Sequence, residues 1–389
     1  MRLLVIELSH SAGTRSVMRQ IMPRFVNLCE AVYYCGHDSE SWSSYSKIDA
    51  ISFGELTKIY HGWKDRLRKR FGGENASTTI FWSYIENHIA EEEITHVFLP
   101  WLIEHQIPRL SVPSGAMLMD LLWKHFPGEF PEGKLMDATL IANLRNIDIA
   151  FPVSAATASE IANTFETSGL EIATVPHGAS LHVDEDQKKA KPGQPESLFF
   201  LYPAQTTANK NHLCLFEAVS ILASKGIEFR IVLTSGSISR LHDGVIKTAN
   251  ESKIRQWIDE HTPLLDSHID LKGQVSWDEL EGLYNNCQAV ILPSLYEGFG
   301  LPLIEALERN VPVVCSGIQP FQEQINRYQM QDRVVVVDPI NPEQLALAMQ
   351  MVLEHEKLER LPLDELTTRL SSWTWDDAAE AYRDCLLRV

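Results

Sequence analysis

Two carboxylates separated by seven residues, Glu297 and Glu305, carry the first chemical signal in this sequence. They lie in Ala289 to Val314, AVILPSLYEGFGLPLIEALERNVPVV, where a buried strand AVILP runs into a turn and a helix is expected from about Pro302. Proline suits the first helical position because its missing N–H is one that a helix start leaves unpaired anyway. Between strand and helix stand Glu297, Gly298, Phe299, Gly300 and Leu301. Two glycines let backbone approach a ligand, and the N–H groups of the loop and helix start can face an anion such as a diphosphate. Glu297 on the loop and Glu305, expected in the first helical turn, can each accept from hydroxyls, and a vicinal diol offers two such bonds. A molecule built as diol, diphosphate, diol fits that arrangement: a nucleotide-sugar. The bland reading of Glu305 alone is an acidic residue favoured by the helix dipole.

The elements around this loop read as alternating strands and helices. Short apolar runs occur at Leu3 to Glu7, Thr95 to Pro100, Ile149 to Val153, Leu198 to Tyr202, Phe229 to Thr234, Ala289 to Pro293, Val311 to Cys315 and Val334 to Val337. Helical spacing fills Asn211 to Lys225, Ser276 to Asn286 and Pro342 to Glu354. Buried runs alternating with helices imply parallel sheets covered on both faces. The stretch DEDQKKAKPGQPES, 184–197, has no large apolar residue and reads as a linker between two α/β domains, 1–183 and 198–374.

Length and composition agree with two ordinary globular domains. The chain has 389 residues, 44% hydrophobic and 22% charged, with a net charge of -18. Such a length supports real cores. An acidic balance argues against nucleic acid as a partner. Six scattered cysteines form no C-x-x-C pair and read as small buried thiols. No apolar stretch reaches the ~18 residues of a membrane span. The N-terminal MRLLVIEL therefore reads as a first strand, and the expected location is cytoplasmic. Asp184-Glu185-Asp186 has D-x-D form but reads as linker surface charge, so no metal site is expected. The basic run Lys64 to Arg70 reads either as a solvated helix face or as a patch for phosphates or anionic lipid headgroups. No G-x-G-x-x-G follows a strand and no G-x4-G-K-[ST] occurs, which excludes the common dehydrogenase and P-loop NTPase readings.

The stretch Glu297 to Glu305, E-G-F-G-L-P-x-x-E, resembles the E-x7-E signature of the family-4 retaining glycosyltransferases, which have the GT-B fold. The resemblance covers most of the C-terminal half and, more weakly, the N-terminal half. It implies an α/β protein with two Rossmann-like parallel-sheet domains facing across a cleft. It also implies that a C-terminal helix at about 375–389 packs back on the first domain. In that family the first Glu binds donor-sugar hydroxyls, the second binds the ribose, and the loop amides from Gly298 to Leu301 contact sugar and phosphate. YPAQTTANKNH, Tyr202 to His212, aligns with the family's G-R-x4-K-N/G segment, so Lys210 matches its diphosphate-binding lysine. Gln205 stands where the family has arginine. Ser235 and Gly236 resemble the strand end beside the nucleotide, and Gln274 and Val275 the backbone that contacts the base.

In the first domain, SAGTR, Ser11 to Arg15, resembles a shortened G-G-x-x-R loop. It implies that Gly13 lies near the donor phosphates and Arg15 near phosphate or acceptor, beside the plainer reading of a strand–helix turn. Met119-Asp120 aligns with a family His-Asp pair, so Asp120 keeps its match while the histidine has become methionine. His10, His105 and His125 are weaker substitutes. Pro176, His177 and Gly178 stand where relatives close the first domain, with His177 reading as a structural turn residue.

These implications assemble into one expectation. Glu297, Lys210 and Asp120 form the catalytic set of a metal-independent, retaining hexosyltransferase that needs no cofactor beyond its nucleotide-sugar substrate. UDP-glucose is the first choice of donor and GDP-mannose the next. The acceptor is a hydroxyl of a glycan or lipid-linked molecule, with polysaccharide biosynthesis as the setting and a peripheral contact with the inner membrane face. By the same resemblance, attack occurs on the face the leaving group departs from, through an oxocarbenium-like transition state. The alternatives are a non-catalytic nucleotide-sugar-binding partner in polysaccharide assembly, motivated by Gln205 and Met119, and a sugar-nucleotide epimerase.

Overall fold

β-Branched and aromatic runs pair into two parallel sheets. The computed structural model describes residues 1–8, 12–36, 42, 48–52, 75–103, 105–181, 198–354 and 360–389. These divide into two compact units. The first comprises Met1–Asp120, Glu132–Gly178 and Trp375–Val389, and the second Leu121–Pro131 and Ala179–Thr374.

Among the described residues the first unit holds seven strands: β1 (Arg2–Glu7), β2 (Ala31–Gly36), β3 (Ile48–Ser52), β4 (His96–Leu99), β5 (Ser114–Leu118), β6 (Ile149–Pro152) and the two-residue β7 (Glu171–Ile172). They lie in the order β3-β2-β1-β4-β5-β6-β7, every pair parallel. Strands β1, β2, β4, β5 and β6 are almost wholly buried, as expected for a parallel sheet with both faces covered. The chain's last helix, Trp375–Leu386, completes this unit. Its Tyr382 is fully buried and makes edge contacts with Phe25, Phe98 and Phe151 at centroid distances of 6.5, 5.1 and 5.0 Å. The phenol donates to the Val175 carbonyl at 3.3 Å, so its polar tip is satisfied. Gly115 sits in β5 because an added Cβ would come within 2.5 Å of Phe151 and 2.8 Å of Leu386.

The second unit holds β8 (Phe199–Tyr202), β9 (Arg230–Thr234), β10 (Ile269–Gly273), β11 (Val290–Leu292), β12 (Val313–Ser316) and β13 (Val334–Val337). Their order is β10-β9-β8-β11-β12-β13, again all parallel. The helices His212–Ser224 and Pro342–Glu354 supply Leu215, Phe216, Val219, Leu345 and Met349 to its core. Strand order reverses between β8 and β11, and between β1 and β4 in the first unit. In open parallel sheets, loops leaving the carboxyl ends of the strands beside such a reversal form the ligand crevice. All six cysteines are buried thiols, and none is joined to another in a disulfide. Among the described residues, no helix is long and apolar enough to cross a membrane.

Replacing Tyr382 with alanine removes a buried ring from between three others, and the expected loss is about 3–5 kcal/mol for a large-to-small core change. Urea unfolding followed by circular dichroism measures it, with the loss confined to the transition of the first unit.

Candidate active site

Four loops of the second unit leave neighbouring strands at one edge of its sheet. After β8 comes Gln205 and then the short 3-10 turn Ala208–Lys210; after β9, Ser235 and Gly236; after β10, Gln274 and Val275; after β11, Ser294 to Gly300. Lys210 and Glu297 thus flank the reversal between β8 and β11. Lys210 Nζ donates to Glu297 Oε1 at 2.6 Å, and the Ser294 hydroxyl donates to the same oxygen at 2.7 Å. The two side chains are 18% and 11% exposed, so the pair is largely withdrawn from water. At that depth each charge needs the other, because an unpaired buried ion carries a heavy desolvation cost.

The asparagines on either side of Lys210 tie its loop to the Glu297 loop. Asn209 accepts from the Leu295 N–H at 2.7 Å through its own carbonyl, and its side chain donates to the Tyr296 carbonyl at 2.9 Å. Asn211 donates to the carbonyls of Pro293 at 3.0 Å and Pro339 at 2.6 Å. Its φ of 63° is left-handed, a conformation asparagine tolerates better than most residues. Beneath the turn, Tyr202 donates to the Lys210 carbonyl. His212 is buried with neither ring nitrogen hydrogen-bonded, and burial, aided by Lys210, holds its pKa down to about 3. It is a neutral packing residue. Tyr296 also accepts from the Leu121 N–H at 2.8 Å, while His125 stacks on its ring at 4.2 Å. Asn209, Asn211, Ser294 and Tyr296 were not singled out by the sequence reading; a lysine flanked by asparagines was the available hint, since asparagine favours turns and left-handed backbone.

The second carboxylate corrects one expectation. The helix begins at Leu301, so Glu305 lies past its first turn, which contains no acidic residue. The N–H groups at the helix start are therefore not the partners of Glu305. Its Oε2 instead accepts from Tyr284 Oη at 3.0 Å, and Arg309 Nη1 donates to its backbone carbonyl at 2.7 Å. Burial pushes the Glu305 carboxyl above its ordinary value, with Arg309 and Tyr284 pulling the other way. Gly300, the residue before the helix, has φ of 88°, and an added Cβ would lie 2.3 Å from the Phe321 ring. Phe321 packing, as well as loop conformation, demands glycine there. Phe299 is buried and its carbonyl accepts from Gln324 at 2.6 Å.

On the β9 and β10 side, Ser235 caps the helix Gly236–His242 by accepting from Ile238 N–H at 3.2 Å. Gln274 donates its N–H to Ser239 Oγ at 2.7 Å, and a Cβ on Gly236 would lie 2.9 Å from the Gln274 amide oxygen. Ser235, Gly236, Gln274 and Val275 thus converge, with Gln274 exposed and Val275 half-buried. Gln205 is exposed, while the adjacent Thr206 turns inward to donate to Glu251 at 2.8 Å.

In the first unit, Gly13 and Arg15 lie within the first turn of the helix Ala12–Leu28 rather than on an open loop, and both are exposed. Nothing lies within 4 Å of a Cβ placed on Gly13. Thr14 between them is buried and directs its hydroxyl to the Met119 sulfur at 3.8 Å, bringing this turn beside Met119 and the half-buried Asp120. His105 is exposed, and His177 is buried against Trp375 at 5.2 Å with its pKa lowered by burial to about 3. His10, Ser11, the basic run 64–70 and the linker 184–197 lie outside the described residues. Among the described residues, no group of three or more His, Cys, Asp or Glu side chains is placed to hold a metal.

Residues 183–362 match the family profile described as glycosyl transferases group 1. The chain carries a group 1 glycosyltransferase domain. This domain takes in Lys210, Glu297, Glu305 and the β9 and β10 loops. The chain is 28% identical over 105 residues to "O-antigen chain mannosyltransferase B" of Escherichia coli, covering 27% of this chain and 26% of that protein. It is 48% identical over 59 residues to "O-antigen chain mannosyltransferase RfbU" of Salmonella typhimurium, covering 15% of this chain and 17% of that protein. The matched region therefore spans about a quarter or less of either relative. The fold matches sucrose-phosphate synthase from Thermosynechococcus elongatus with a TM-score of 0.70 over 100% of both chains at 14% identity. The group 1 domain thus belongs to a GT-B fold, as the E-x7-E resemblance implied.

Two outcomes are expected from this geometry. Gly300→Ala strains both the left-handed backbone and Phe321, and lowers the melting temperature of the second unit, measured by calorimetry, by an amount equivalent to about 1–3 kcal/mol. The second concerns Glu308, whose carboxyl accepts from the Ser180 N–H; burial pushes its pKa up to about 8, with Ser180 and Arg309 opposing. A folded pKa above the unfolded one gives stability that is full below about pH 4.5 and lost as pH rises through about 8. Glu308→Gln keeps the acceptor for Ser180 and removes the charge. Its melting temperature is expected to fall less between pH 5 and pH 9 than that of the parent chain.

Proposed function

We propose that this chain transfers a hexose from a nucleoside-diphosphate sugar to a hydroxyl of a glycan or lipid-linked acceptor, with retention at the anomeric carbon. The observation that carries the proposal is the Lys210–Glu297 pair at the strand-order reversal, with Glu305 on the next helix. A donor entering there exchanges the internal pair for its own groups. Sugar hydroxyls donate to Glu297, the diphosphate accepts from Lys210, and the ribose diol donates to Glu305. The loop from Gly298 to Leu301 supplies backbone N–H groups, and Ser235, Gly236, Gln274 and Val275 border the nucleoside.

The bond between the anomeric carbon and the diphosphate oxygen breaks as the acceptor oxygen bonds to that carbon from the same face. The acceptor proton passes to a diphosphate oxygen, so no strong protein base is required. Lys210 offsets the negative charge growing on the departing diphosphate, the kind of fixed charge that is worth most where water is scarce. Asp120 is the catalytic candidate of the first unit, Gly13 its candidate for the donor phosphates and Arg15 its candidate for phosphate or acceptor. Gln205 brings no charge, which leaves Lys210 and the loop amides as the supports of the leaving group. The mannosyltransferase names of the two relatives favour GDP-mannose over UDP-glucose as donor.

Incubating the purified chain with GDP-mannose or UDP-glucose and following nucleoside diphosphate release tests the reading. Release is expected with GDP-mannose, and Glu297→Ala or Lys210→Ala should each lower the rate by about 10²–10³-fold, the scale for losing one electrostatic contact to developing charge. Nucleotide binding with no transfer or hydrolysis under any condition would instead identify a binding protein without catalysis. A thermal-shift comparison of GDP with UDP checks the donor class, since only the bound nucleotide raises the melting temperature.

A further inference from the structure

Trp277 is 60% exposed, the most exposed aromatic side chain among the described residues. It opens the helix Trp277–Asn286, directly after the N-cap Ser276 and two residues after Val275. On that helix Trp277, Glu281 and Tyr284 share one stripe, at spacings of four and three. Arg309 lies across the whole stripe. Its guanidinium carbon is 5.8 Å from the Trp277 ring centre and 4.8 Å from that of Tyr284, and its Nε and Nη2 donate to Glu281 at 2.8 and 2.7 Å.

The same guanidinium donates to the Glu305 carbonyl, and Tyr284 donates to the Glu305 carboxylate. One cation therefore braces an indole and, through its neighbours, the carboxylate assigned to the ribose. The helix that Trp277 opens follows directly on the β10 loop, where the Gln274 amide oxygen lies beside Gly236. A base attached to a ribose held at Glu305 lies one glycosidic bond away from that sugar. An aromatic ring is the natural partner for it, because every nucleobase presents a π face. A guanidinium behind the indole holds the ring in place through a cation–π contact while leaving much of its surface in water.

We propose that Trp277 stacks on the nucleobase of the bound nucleoside diphosphate and is a binding residue of the donor site. This rests on the donor-site reading above and names the group that meets the base. The test titrates the full chain with GDP, UDP and inorganic pyrophosphate, following binding by calorimetry and tryptophan emission. The tighter-binding nucleotide should quench the emission of the parent chain. Trp277→Phe keeps a stacking ring and should hold affinity within about threefold while losing most of the quench, whereas Trp277→Leu should bind that nucleotide about tenfold more weakly. Pyrophosphate affinity should be the same in all three, because it has no base. Equal nucleotide affinity in Trp277→Leu and the parent chain overturns the stacking role and leaves the donor-site reading standing. Failure of both nucleotides to bind the parent chain overturns the donor-site reading, and this inference with it.

Discussion

A lysine and a glutamate 87 residues apart, each mostly shielded from water, meet where the strand order of the second sheet reverses. Everything else in the site serves to keep that contact possible. Asn209 and Asn211 sew the lysine turn to the glutamate loop through main-chain carbonyls, so neither loop can shift without breaking several hydrogen bonds at once. Ser294 shares the carboxylate, which limits the rotamers open to Glu297. A site of this kind is organised before any substrate arrives, and pre-organisation is what makes a fixed charge effective against charge that develops during reaction.

The second carboxylate is held by different means. Glu305 depends on Tyr284, from a neighbouring helix, and on Arg309, and burial raises its proton affinity. The two glutamates are therefore unlike in environment despite their short separation in sequence. One faces a cation directly. The other sits in a mixed aromatic and cationic setting. Phe321, pressed against Gly300, fixes the point at which loop becomes helix and so sets the distance between them.

Much of this was legible in the residue order, for physical reasons that can be named. The run Val334–Val337 reads directly as a strand because four β-branched residues in succession have little other use, and the strands around Tyr202, Thr234 and Leu292 announce themselves in the same way. The E-G-F-G loop shows its glycines and acid openly. Strand β5, SGAML, is silent: its glycine is demanded by Phe151 and Leu386, which are distant in the chain. The asparagine stitches and the Arg309 brace are silent too, since their meaning lies in partners that only folding supplies. Glu305 was misplaced by a fraction of a turn because the helix starts at Leu301, one residue ahead of the proline that signals it.

The helix Trp375–Leu386 completes the core of the unit that the amino terminus begins, with Tyr382 wedged among Phe25, Phe98 and Phe151. Domains that are contiguous in sequence can finish folding while the ribosome is still translating the remainder of the chain. Here the cluster of Phe25, Phe98 and Phe151 can close only after Tyr382, made long after them, has joined it. The first unit is thus closed only after the second has been made, and until then an apolar seam in it stays open to chaperones.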